Sequence, residues 1–69
     1  MIDTAKTGQK CYEVIRPLFK TQKQVAEALG ISYATVSNWK SGLSMPSIDN
    51  IVIIAEMTGS TLDELVIRC

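Results

Sequence analysis

The chain contains no histidine, which removes the side chain most used for proton transfer near neutral pH and for holding zinc. It has only two cysteines, Cys11 and Cys69, too few to bind a metal unaided. Cys11 reads as a small core residue, Cys69 as a terminal thiol, and no native disulfide is expected. Glycine and proline are scarce, at four and two, and no low-complexity tract interrupts the chain. No apolar run approaches the roughly 20 residues needed to cross a bilayer. The opening MIDTAKTGQK lacks the apolar segment of a secretory signal, so a cytoplasmic chain with no membrane partner is expected. No nucleotide-binding glycine loop, metal constellation or evident carboxylate pair is present, and Ser37 and Cys11 have no base to activate them. The expectation is therefore a protein that is not an enzyme and needs no cofactor or metal.

At 69 residues there is room for one domain, 1–69. A chain this short buries only about 60% of its unfolded surface, so its core is marginal and a partner subunit would support it. Net charge is zero and the pI is near 6.1, a balance that argues against phosphate neutralisation as a binding force. The distribution argues the other way. Residues 1–40 carry Lys6, Lys10, Arg16, Lys20, Lys23 and Lys40 against Asp3, Glu13 and Glu27, a net +3; residues 41–69 carry Arg68 against Asp49, Glu56, Asp63 and Glu64, a net −3.

Within the basic half, TQKQVAEALGISYATVSNWKSG over residues 21–42 reads as two short amphipathic helices joined by a turn. Thr21 and Gln24 form a T-x-x-Q capping box, and Val25, Ala26 and Leu29 share the inner face of the first helix. Gly30 falls where the chain must leave through a left-handed residue, Ile31 plugs the corner and Ser32 caps the second helix. Val36 and Trp39 lie on that helix's inner face, which makes Trp39 a core residue and not a stacking platform, and Gly42 ends it.

This pattern, T-Q-x-x-[LV]-A-x-x-L-G-[IV]-S-x-x-x-[VI]-S-x-W-x-x-G, resembles the helix-turn-helix core of the XRE family, which includes the phage Cro proteins and lambda-type repressors. The match continues through Pro46-Ser47, the apolar run from Ile48 with Ala55 and Gly59, and Thr61 to Leu65, covering about two thirds of the chain in register. The resemblance implies an all-α, compact five-helix lambda-repressor-like domain, with a flexible N-terminal arm over about residues 1–7.

The flanking sequence fits that architecture. Cys11, Val14, Ile15 and Leu18 follow the i, i+3, i+4, i+7 stripe of a helix facing a core, which Pro17 should end near Arg16, leaving residues 18–20 as a tight bend. Beyond a loop from Ser41 to Pro46, Ser47 caps a helix with Ile48, Ile51, Val52 and Ala55 inward and Ile53 and Met57 on the opposite side. Thr61 and Glu64 form a second capping box, opening a last helix with Leu65, Val66 and Ile67. No strand pattern occurs.

In the resembling family the second helix of the motif enters the DNA major groove, which implies Tyr33, Ala34, Ser37 and Asn38 at base edges. Asn38 can pair bidentately with adenine N6 and N7; its bland alternative is a solvated helix position. Tyr33 offers a ring to a thymine methyl or a hydroxyl to a phosphate, or else it shields the turn. Ala34 has only a methyl, and Ser37 reaches a base or nothing. Phosphate contacts fall to Gln22 at a helix start, with Lys23, Thr35, Lys40 and Ser41. A single reading helix touches few base pairs, so a homodimer on double-stranded operator DNA is expected, with Ile53, Met57, Val66 and Ile67 as its face or else as scattered surface apolars. The reading is a sequence-specific transcriptional regulator of Cro or repressor type on a palindromic operator. The alternative is an antitoxin-like protein, which would use the same apolar face for a protein partner as well as binding DNA.

Overall fold

In the computed structural model, which describes residues 1–69, helix α1 (Thr4–Ile15) starts where the Asp3 carboxylate accepts the Lys6 amide at 2.9 Å. Residues 4–7 of the expected arm over residues 1–7 form the first turn of α1, with Asp3 as its N-cap and Thr7 buried. Pro17 ends the helix as its missing amide requires, and Arg16–Leu18 makes one 3₁₀ turn. The Arg16 guanidinium closes that turn by donating to the Phe19 carbonyl at 2.8 Å and the Lys20 carbonyl at 3.1 Å. Tightening from α to 3₁₀ rotates Leu18 off the inner stripe, so it is exposed instead of core.

Helix α2 (Gln22–Leu29) is capped by Thr21, whose hydroxyl accepts the Gln24 amide at 3.2 Å. The other half of the expected capping box shifts by one residue, since Gln24 Oε1 takes the Lys20 amide at 3.0 Å and not the Thr21 amide. Gly30 leaves the helix at φ 68°, and the Ile31 amide returns to the Ala26 carbonyl at 3.0 Å, a Schellman-type ending. Helix α3 (Tyr33–Ser41) starts on Ser32, whose hydroxyl takes the Thr35 amide, and ends at Gly42 in the same manner.

Helix α4 (Ile48–Thr58) buries Ile51, Ile54 and Ala55. Two expected inward residues, Ile48 and Val52, are exposed, while Ile54, which the inward set had omitted, is fully buried. The helix has rolled so that 51, 54, 55 and not 48, 51, 52, 55 face inward. In so apolar a run several faces satisfy the same periodicity, and packing chooses. Helix α5 (Leu62–Leu65) carries the reciprocal Thr61–Glu64 capping box.

All five helices contribute to one core, comprising Cys11, Ile15, Val25, Ala26, Val36, Trp39, Ile51, Ile54, Ala55 and Leu65. Trp39 is 1% exposed, and its indole N–H has no acceptor within the chain. Helix α1 packs most extensively on α3, and Gly8 lets it approach the Ser44 carbonyl in the α3–α4 loop, where a Cβ would overlap. The last helix is shorter than expected: Val66 is already extended and Ile67 lies beyond it. There the Thr7 hydroxyl accepts the Ile67 amide at 3.0 Å, the Asp3 amide donates to the Ile67 carbonyl at 2.8 Å, and Ile2 bridges Arg68 antiparallel. These backbone bonds are only available to extended chain, so they compete with a further helical turn.

Candidate nucleic-acid interface

Ser32 starts α3 clear of the core, and the Val36–Trp39 pair turns one side of that helix inward, which leaves the opposite side to Tyr33, Ala34, Ser37 and Asn38. Tyr33 is 57% exposed, Ala34 and Asn38 are exposed, and Ser37 is half-buried against α2. The first two turns of α3 thus form a convex polar ridge with a ring at its start and a carboxamide at its end. Asn38 uses its backbone carbonyl, not its side chain, to receive the Leu43 amide at 2.9 Å and the Ser41 hydroxyl at 3.2 Å.

Gln22, the first residue of α2, lies beside this ridge. Its Nε2 donates to Ser37 Oγ at 2.6 Å and faces the Tyr33 carbonyl at 3.5 Å, while its Oε1 faces the Tyr12 hydroxyl at 3.4 Å. The side chain is therefore engaged within the molecule, and what Gln22 offers an anion is its backbone N–H at the positive end of α2. Lys23, next in line, is exposed.

The remaining phosphate candidates divide. Lys40 is exposed, with Nζ 5.9 Å from the centroid of the Tyr12 ring, so a cation–π contact draws it toward α1. Thr35 shares a 2.8 Å hydroxyl contact with Ser32 at the helix cap, and Ser41 spends its proton on its own helix. Both hydroxyls serve the helix ends first.

Tyr12 is the residue that sequence reasoning missed. It sits half-buried one position beyond Cys11, at the edge of the core stripe of α1. An aromatic at the border of an apolar stripe is its only sequence signal, and that signal carries no information about Gln22 until the 3₁₀ turn has brought the start of α2 to Tyr12.

The four residues expected to form a dimer face are not equivalent. Ile53 and Met57 are each 41% exposed on the outer side of α4. Val66 packs against the core, and Ile67 is half-buried with its backbone engaged by Thr7 and Asp3. Both line a shallow open cleft with Asp63 and Arg68. No helix of the structure is long and apolar enough to cross a membrane.

Comparison with known proteins identifies this two-helix unit. Residues 20–65 match the helix-turn-helix family. The transcriptional repressor RstR of the cryptic phage CTXphi in Vibrio cholerae is 39% identical over 46 residues, 67% of this chain and 41% of that protein. The HTH-type transcriptional activator BcrR of Enterococcus faecalis is 38% identical over 45 residues, 65% of this chain and 22% of its own length. The chain thus spans less than half the length of these relatives. No solved structure matches. On the match across residues 20–65, with α2, the Gly30 turn and α3 at its centre, the chain belongs to the XRE-type helix-turn-helix family.

Proposed function

We propose that this protein is a sequence-specific, double-stranded DNA-binding transcriptional regulator of the Cro or repressor type. The observation that carries the reading is the exposed ridge of Tyr33, Ala34, Ser37 and Asn38 on α3, flanked by the amide-bearing start of α2 and by Lys23 and Lys40. An α-helix fits the major groove, where Asn38 can contact adenine through N6 and N7, and the lysines and helix-start amides meet phosphates. A repressor and an activator among the relatives support regulation without choosing its sign.

A chain measuring 31 × 24 × 18 Å reaches one half-site, and successive half-sites lie about 34 Å apart along one face of the duplex, so two copies side by side suit a palindromic operator. Ile53 and Met57 are the proposed contact between copies. Fluorescence anisotropy with a labelled duplex is the test of DNA binding: affinity should fall steeply with salt, and equal affinity for duplex and single strand would contradict the reading. In sedimentation, Ile53→Asp should shift a dimer to monomer without loss of helix. A wild-type chain that is monomeric at every concentration, and instead co-purifies with one stoichiometric protein, would favour an antitoxin-like role.

A further inference from the structure

We propose that Tyr12 is a positioning residue which, through Gln22, presents Ser37 to DNA as a hydrogen-bond donor; this rests on the DNA-binding reading above. The polarity follows from groups with only one option. A backbone carbonyl accepts and never donates, so the side of the Gln22 carboxamide facing the Tyr33 carbonyl is its NH₂. The same nitrogen lies 2.6 Å from Ser37 Oγ, so that oxygen accepts. One lone pair of Ser37 is thereby occupied, and its single proton is left to point along the exposed ridge toward a base-edge acceptor: guanine O6 or N7, adenine N7 or thymine O4.

The other end of the carboxamide is then an oxygen, and the group opposite it is the Tyr12 phenol, which must donate. This contact is long for an O–H···O bond at 3.4 Å, but it is the one partner that favours the oxygen on that side. Without the phenol, only the 3.5 Å approach to the Tyr33 carbonyl opposes rotation of the carboxamide, and Ser37 is held less firmly as an acceptor. The Lys40 ammonium over the Tyr12 ring ties the same side chain to the far end of α3, so one α1 residue touches both a reader's support and a cation of the interface.

Tyr12→Phe separates the hydroxyl from the ring, keeping the packing and the Lys40 contact. Wild type, Tyr12→Phe and Ser37→Ala are each used to enrich duplexes from a randomised pool, and thermal unfolding of each is recorded. The expected result is that Tyr12→Phe relaxes base preference by about fivefold at the same base pair as Ser37→Ala, with its salt dependence and melting temperature near wild type. Tyr12→Phe that keeps full preference at the pair relaxed by Ser37→Ala overturns the proposal, as does Ser37→Ala that relaxes no position. Failure of the wild type to enrich any motif overturns the sequence-specific DNA-binding reading itself, and is told apart because no variant is needed to see it.

Discussion

Gln22 Nε2 donates to Ser37 Oγ at 2.6 Å, tying the first residue of α2 to the middle of α3. The two helices are thus tied on the outside by this bond and on the inside by a shared core to which α2 gives Val25 and α3 gives Val36. Gln22→Ala should lower stability by about 1 kcal/mol in urea denaturation, the usual net value of one such bond, and should weaken duplex binding more than that loss explains. Unchanged stability and unchanged binding would show that the bond positions nothing.

Two glycines should respond to alanine for different reasons. Gly30 has open space around it, so Gly30→Ala costs only the left-handed backbone, about 1 kcal/mol. Gly8→Ala drives a methyl into the Ser44 carbonyl, a backbone group that cannot swing aside, and should cost about 1–3 kcal/mol. For a domain this small 1 kcal/mol moves the midpoint by roughly 4–8 °C, so calorimetry resolves the two. A larger drop for Gly30→Ala would contradict the packing of α1 on the loop.

Local signals carried far in this chain. Thr21, Ser32, Ser47 and Thr61 each cap the helix expected of them, because a cap is a contact within three residues and needs no tertiary context. Val36 and Trp39 are buried as their spacing predicts. What periodicity left undecided was rotation: in the run IDNIVIIAEMT almost any face is apolar, and only the neighbouring helices select Ile54 over Val52. Contacts across the chain were illegible for the same reason. Tyr12 meeting Gln22, and Thr7 receiving Ile67, depend on where whole helices come to rest.

The two thiols differ in reactivity. Burial pushes the Cys11 thiol up to about 11, whereas Cys69 is exposed. An alkylating reagent at pH 8 should label Cys69 at once and Cys11 only as fast as the fold opens. With its thiol raised in the folded state, Cys11 favours folding at neutral pH and loses that contribution as the pH climbs through the ordinary thiol range toward 11. Equal labelling rates in native protein would contradict the placement of Cys11 in the core.

Glu64 lies below the usual carboxylate range, chiefly because its carboxylate accepts the Thr61 amide, then because of the Thr61 hydroxyl and the charge of Lys10. A depressed carboxyl stabilises the fold above its unfolded value, and that contribution disappears as the pH falls through its folded value. Glu64→Gln should therefore flatten the acid limb of the stability curve while leaving the alkaline limb unchanged. An acid limb identical to wild type would show that the capping box contributes no pH dependence.

If the exposed side of α3 reads base sequence, Asn38 is the residue whose loss should show it. Enrichment of duplexes from a randomised pool at two salt concentrations should return a palindromic motif for wild type. With Asn38→Ala, one symmetric pair of adenine positions should lose about 1–3 kcal/mol of discrimination while the salt dependence stays the same. A motif that survives Asn38→Ala at every position, or binding that is salt-dependent with no motif at all, would contradict it.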